Sequence, residues 1–181
     1  GARVDKGEVD RLTMNVLEHT SDHIIGLALG QRLNLSAHAV IGQAFLTCSN
    51  LAEALDLLDR YGALLMGTRI QLIRTPNSGA DHDGMIVVLD QTEPMKRFNY
   101  EVIFSAIQKT LTDLLGSAVP TIKVSFPFSA PPDLPHFTSI FADHIFFDAA
   151  HVGVRLPSDI PRLPLPSDTR THSGCESSGW D

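Results

Sequence analysis

The spacing of the apolar residues changes near Gly67, and this change limits the folds that the chain can adopt. Before Gly67, apolar residues recur every three or four positions, which is typical of amphipathic helices. After it, residues 69–75 and 85–90 are rich in Ile, Leu and Val, and the turn-rich loop between them predicts an antiparallel hairpin. Helices that precede a hairpin, a further helix and short strands are typical of an α+β fold.

The clearest predicted helix begins at Asn50. Asn50 stands three residues before Glu53, which is the spacing of a capping box, so Asn50 accepts from backbone N–H groups and Glu53 reaches back to the cap. Apolar residues then form one stripe along the helix: Leu51, Ala54, Leu55, Leu58, Tyr61 and Leu65. We expect three helices before it, namely residues 8–20, one capped by Ser21 or Asp22, and one capped by Ser36.

The second half of the chain predicts one long helix among short strands. The helix follows Pro94 and ends near Gly116, a residue type that often terminates helices. The other predicted elements are a strand over 121–126, a short helix over 134–141, and strands over 145–147 and 151–155. We therefore predict an α+β fold in which N-terminal helices pack on a small antiparallel sheet, with a long helix between the hairpin and the later strands.

The composition argues against several classes of function. The net charge is −7, whereas a protein that binds nucleic acid by itself needs a basic face. No apolar run approaches the roughly 20 residues that cross a bilayer, so we predict no membrane partner. Cys48 and Cys175 are too far apart in sequence to form a disulfide framework or a CxxC motif. These features favour a cytoplasmic protein.

Motifs for catalysis and metal binding are absent from the sequence. It contains no glycine-rich phosphate loop, no GxSxG elbow and no HExxH pattern. The tightest cluster of candidate metal ligands, residues 81–83, falls in the predicted hairpin loop, where a solvated turn explains it. We therefore predict no catalytic residue, no metal site and no cofactor, and we do not expect an enzyme.

Seven of the nine phenylalanines lie between residues 104 and 147. The simpler interpretation is a well-filled core, because aromatic side chains dominate core burial. The alternative is that some of these rings line a pocket for an organic ligand, with nearby arginines as polar anchors. The candidate ligand-binding residues are Arg69, Arg97, Tyr100, Phe104, Phe126, Phe128 and Phe147.

Five segments of the chain resemble, in the same order, the characteristic segments of one family of regulatory domains. They are residues 24–30 (IIGLALG), 42–61, 125–131 (SFPFSAP), 136–148 and 156–168. The family is the N-terminal effector domain of AraC/XylS-type transcription regulators, often labelled arabinose-binding-like. The resemblance extends over nearly the whole chain, from about Val9 to Asp168.

The resemblance implies a regulatory function. Such a domain binds a small-molecule effector and controls an attached helix-turn-helix domain, which contacts the DNA. Residues 1–168 would be the domain for effector sensing and oligomerisation, and residues 169–181 a tail or linker toward a DNA-binding domain that this sequence lacks. The class of effector stays open, and a homodimer is compatible with the family. The alternative is a ligand-free interaction module that only dimerises or contacts polymerase.

Two residues depart from the family pattern. Ala142 and Asp148 stand where the family usually has glycine. Glycine adopts backbone conformations that Ala and Asp tolerate less well. We therefore expect these two turns, and any pocket that they border, to differ from those of the family.

Overall fold

A computed structural model describes most of the long helix and the strands, and parts of the N-terminal third. The described residues are 5–20, 24–33, 44, 47–50, 52–53, 56–57, 60–61, 70–75, 82–89, 93–115 and 122–157. Within them, the helices are α1 (Lys6–His19), α2 (Ile25–Gly30), α3 (Met95–Leu115) and α4 (Leu134–Phe141). The strands are β1 (Ile70–Thr75), β2 (His82–Leu89), β3 (Lys123–Ser125), β4 (Ile145–Phe146) and β5 (Gly153–Pro157).

The five strands form one sheet in the order β1-β2-β5-β3-β4. The predicted hairpin is confirmed, because β1 pairs with β2 in antiparallel register from Ile70↔Leu89 to Thr75↔Gly84. Strand β2 begins at His82, earlier than the predicted residue 85, because its other edge pairs with β5 as far as His82↔Pro157. A pairing partner distant in sequence therefore extends the strand into a segment whose composition suggests a turn.

The sheet is mixed rather than antiparallel throughout, although the α+β class is confirmed. Strand β3 runs antiparallel to β5 but parallel to β4, with Val124 opposite Ile145. Helix α4 lies between β3 and β4 in sequence. It brings the chain back to the end of the sheet where β3 began. Two consecutive strands joined by such a crossover helix run in the same direction.

Helix α2 packs closely against α3 because two glycines face it. A Cβ atom added at Gly26 would lie 2.7 Å from Glu101 Oε2, and one added at Gly30 would lie 2.5 Å from the Val102 carbonyl oxygen. The buried Ser105 hydroxyl donates to the Leu27 carbonyl at 2.8 Å, which joins the two helices at the same place. The sequence predicts that the N-terminal helices pack on the sheet, but α2 packs on α3 instead.

The predicted capping box at Asn50 is present, with a shift of one residue. The Glu53 N–H donates to Asn50 Oδ1 at 3.0 Å, as predicted. The Glu53 carboxylate accepts instead from the N–H of Ser49, the residue before the cap, at 2.8 Å. The rest of the Leu51–Leu65 stripe is described only in part, and the predicted caps at residues 21–22 and 36 lie outside the described residues.

The hydrophobic core lies between α3, α4 and the sheet. Its fully buried members include Phe104 on α3, Phe137 on α4 and Val154 on β5. The other buried apolar residues of this core are Leu27, Tyr100, Ile103, Leu111, Ile122, Val124, Phe126, Phe141 and Leu156. Helix α1 leaves Val9, Leu12 and Val16 exposed. No helix among the described residues is long and apolar enough to cross a membrane.

Candidate functional site

The structure brings five of the seven predicted ligand-binding residues into one aromatic cluster. Tyr100 and Phe104 lie one turn apart on α3, and their ring centroids are 5.8 Å apart. Phe126 and Phe128 follow β3, and Phe147 follows β4. Predicted residues far apart in sequence thus meet where the end of the sheet faces α3.

Phe126 is the centre of this cluster. Its ring centroid lies 5.2 Å from that of Phe104, 5.0 Å from that of Phe128 and 5.7 Å from that of Phe147, with which it is stacked. Phe137 and Phe141 of α4 complete the cluster, with edge-on contacts to Phe126 at 5.5 and 6.0 Å. The pocket prediction left these two out, although their spacing of four residues on a predicted helix signals a shared buried face.

The members of the cluster differ in their access to solvent. Tyr100, Phe104 and Phe126 are at most 2 % exposed and fill the core. Phe128 and Phe147 are half-buried and pack against that core from its edge. A ligand from solvent can therefore reach Phe128 and Phe147 without opening the core, whereas contact with the other three requires the core to open.

Arg97 lies on the solvent side of Phe128. Its guanidinium carbon is 4.6 Å from the centre of the Phe128 ring, which is a cation–π distance. Its Nε–H donates to Glu101 Oε1 at 3.0 Å, and the Arg97 side chain is 33 % exposed. The remaining predicted anchor, Arg69, lies outside the described residues.

Glu101 is a buried carboxylate at the contact between α2 and α3. Burial raises its pKa to about 7, against the opposing effect of the Arg97 hydrogen bond and charge, and the nearby Glu93 raises it further. Gly26 of α2 lies against this side chain, since a Cβ atom added there would be 2.7 Å from Glu101 Oε2. Among the described residues, one partly exposed guanidinium therefore balances a carboxylate that lies almost entirely away from water.

The two turns that depart from the family pattern border this cluster. Ala142 and Asp148 both adopt positive φ, at 53° and 52°. Glycine adopts such a conformation with less strain than Ala or Asp. The Asp148 N–H donates to the Phe128 carbonyl at 3.0 Å, so this turn holds the backbone of Phe128 beside β4.

A cleft of about 400 Å³ lies elsewhere, beside the capping box. It is lined by Ala44, Thr47, Cys48, Glu53, Asp56, Leu57 and Arg60. Burial, and secondarily Glu53, raises the pKa of the Cys48 thiol, which keeps the thiol protonated and a poor nucleophile. None of the six predicted ligand-binding residues that the structure describes lines this cleft. The described part of the chain also contains no group of three or more His, Cys, Asp or Glu side chains that could hold a metal ion.

Comparison with known families identifies the domain. The family described as the arabinose-binding domain of AraC transcription regulators, N-terminal, matches residues 1–165. The chain belongs to this family. The resemblance seen in the five sequence segments is therefore confirmed.

Two relatives of this AraC-type domain are regulators from Pseudomonas aeruginosa. The ornithine utilization regulator is 23% identical over 161 residues, which cover 87% of this chain and 46% of that protein. The crystal structure of the transcriptional regulator CdpR has the same fold, with a TM-score of 0.72 and 19% identity over 88% of this chain and 51% of that one. The chain thus spans about half the length of these regulators.

Proposed function

We propose that this domain binds a small-molecule effector and thereby controls DNA binding by an attached helix-turn-helix domain. Its membership of the AraC regulator family supports a regulatory role, as does its similarity to an ornithine utilization regulator and to the transcriptional regulator CdpR. The domain itself is acidic, with a net charge of −7, which fits DNA contact through another part of the protein. A regulator of this kind performs no catalysis.

The observation that carries the proposal is the half-buried edge of the aromatic cluster beneath Arg97. There a guanidinium lies on the ring of Phe128, and Phe147 continues the apolar surface inward. A small-molecule site combines apolar walls with few polar anchors, and these residues supply both. We therefore assign effector contact to Arg97, Phe128 and Phe147, with Tyr100, Phe104 and Phe126 as the packed support behind them.

The proposed mechanism is linkage between the effector site and the α2–α3 contact. An effector that binds one conformation better than another shifts the population toward that conformation. Arg97 is one turn from Glu101, whose carboxylate touches α2, so a change at Arg97 acts directly on the packing of α2. A coupling of about 1–3 kcal/mol is sufficient for a useful switch.

The proposal is tested with the full-length regulator in two steps. A thermal-shift screen of metabolites should find a compound that stabilises the protein, by about 2.7 kcal/mol at 100 times its dissociation constant. That compound should then change the affinity for operator DNA, measured by fluorescence anisotropy. The Phe128→Ala variant should lose the response while keeping DNA affinity without the compound. A compound that binds and leaves DNA affinity unchanged contradicts the proposal.

A ligand-free dimerisation module is the second candidate function. The observation that favours it is the exposed apolar stripe of α1, formed by Val9, Leu12 and Val16 at helical spacing. Analytical ultracentrifugation of the wild-type chain and of Leu12→Glu distinguishes the two functions. If the screen finds no stabilising compound and Leu12→Glu dissociates a dimer, the dimerisation module is the better account.

A further inference from the structure

We propose that Arg97 binds the carboxylate of an organic acid whose apolar body lies against Phe128, and that Glu101 takes up a proton when this acid binds. The inference deepens the proposed function, on which it rests, by naming the class of effector as an organic anion with an apolar or aromatic body. It also names a chemical signal, proton uptake, that an ordinary structural ion pair would not give.

The guanidinium of Arg97 has the geometry to bind a carboxylate. A guanidinium has five N–H donors in a planar fork, and its fit to a carboxylate is bidentate. The hydrogen bond to Glu101 uses the Nε–H, and a third of the side chain is exposed to solvent. Phe128 lies beneath the guanidinium plane, so it orients the fork and offers apolar surface beside it. The arrangement suits a ligand that carries a carboxylate next to an apolar group.

Glu101 responds to an anion on Arg97 by taking up a proton. An anion on Arg97 divides the attraction of the guanidinium between two carboxylates and brings a like charge near Glu101. Among the described residues, the charged groups that face Glu101 are Arg97 of α3 and Glu93, which lies just before α3, and α2 offers no titratable side chain against it. Within the part of the chain that the structure describes, no other cation compensates, and a carboxylate this buried gains a proton when its partner is shared.

The protonation of Glu101 makes ligand binding weaker as the pH rises. The pKa of Glu101 without ligand is about 7, so above pH 7 the ionised form prevails. Bound anion raises this pKa, and binding at such pH is accompanied by proton uptake. A rise of one unit in the pKa of Glu101 makes binding about sevenfold tighter at pH 6 than at pH 8.5, although the ligand carboxylate is ionised at both.

The test uses 3-phenylpropionate as the probe and the neutral 3-phenylpropionamide as its matched control. Nitrogen-15 NMR of the 181-residue chain follows the Nε–H of Arg97 during titration of each compound. We expect a saturable shift of this signal with the acid and none with the amide. Isothermal titration calorimetry in two buffers of different ionisation enthalpy should show proton uptake at pH 7.5 for the wild type.

Variants separate this site from a general affinity for anions. Arg97→Gln and Arg97→Lys should both weaken binding of the acid at least about tenfold, because neither side chain provides the planar cationic fork. Arg155→Gln, which removes an exposed arginine on β5, should leave binding unchanged. Glu101→Gln should bind the acid with no proton uptake and with equal affinity at pH 6 and 8.5.

Several outcomes overturn the inference. They are an unchanged Arg97 signal at 10 mM acid, equal shifts with the acid and the amide, retained binding in both Arg97 variants, and proton uptake that persists in Glu101→Gln. If any of these outcomes occurs while the metabolite screen still finds a compound that alters DNA affinity, the carboxylate site is wrong and the proposed regulatory function stands. If the acid binds as described but never alters DNA affinity, the site stands and the regulatory proposal fails.

Discussion

At the residue scale, Glu101 makes the stability of the domain depend on pH. Its pKa is about 7 in the folded protein and close to 4.5 in the unfolded chain, so the folded state holds the extra proton between these values. Stability conferred by that proton is complete below pH 4.5 and is lost as the pH rises through 7. Ionisation of Glu101 lowers the free energy of unfolding by about 3 kcal/mol at most, because each unit of pKa shift corresponds to about 1.4 kcal/mol.

The Glu101→Gln variant should therefore lack this slope. Gln keeps an oxygen that accepts from Arg97 but carries no charge to desolvate. We expect its advantage over the wild type to grow from pH 5 to pH 8, measured by urea denaturation at each pH. Asp113→Asn, which neutralises an exposed carboxylate paired with Lys109, serves as the control and should show no such growth. Parallel stability profiles of wild type and Glu101→Gln would contradict the prediction.

Ala142 is the second residue with a clear expectation. Its φ of 53° and ψ of −147° lie in a region that glycine occupies with little strain and Ala does not. Ala142→Gly should raise the free energy of unfolding by about 1 kcal/mol, the relief of strain exceeding the added flexibility of the unfolded chain. Ala150→Gly, at an exposed residue without positive φ, should be neutral or destabilising in the same thermal melt.

At the scale of elements, the close approach of α2 and α3 depends on small residues. Gly30→Ala should destabilise the domain by about 1–3 kcal/mol, because the added methyl would meet the Val102 carbonyl at 2.5 Å and Ser105 Cβ at 2.7 Å. Gly7→Ala in α1 is the matched control, since its methyl would meet only the Asp5 carboxylate, at 3.1 Å. The control should gain up to about 1 kcal/mol from helix propensity. Similar unfolding midpoints for the two variants would refute this account of the packing.

Element identity was largely predictable from the sequence, and element pairing was not. The helix over 134–141 and the long helix after Pro94 follow from apolar spacing and from the glycine and prolines at their ends. The parallel pairing of β3 with β4 and the early start of β2 depend on partners distant in the chain. Local sequence patterns contain no information about such partners, so they predict neither the parallel pairing nor the early start of β2.

At the scale of the whole molecule, the sequence predicted an aromatic cluster, but burial determined its role. The density of phenylalanines after residue 104 and the spacing of Tyr100 and Phe104 were visible in the chain. Only the fold placed Phe126 at the centre, with Phe128 and Phe147 at its edge. Phenylalanines occur both in the buried core and at its edge, so residue type does not separate the two groups. Exposure to solvent distinguishes the rings that a ligand can contact from the buried rings that support them.

The sequence by itself determined the α+β class, most of the elements and the regulator family, because these depend on local periodicity and on segments that occur in order along the chain. The tertiary structure alone decided that Arg97 lies on Phe128 and that Glu101 is buried against Gly26. Both contacts join α3 to residues distant from it in sequence, and the charge of a carboxylate becomes sensitive to pH near 7 only once packing has removed it from water.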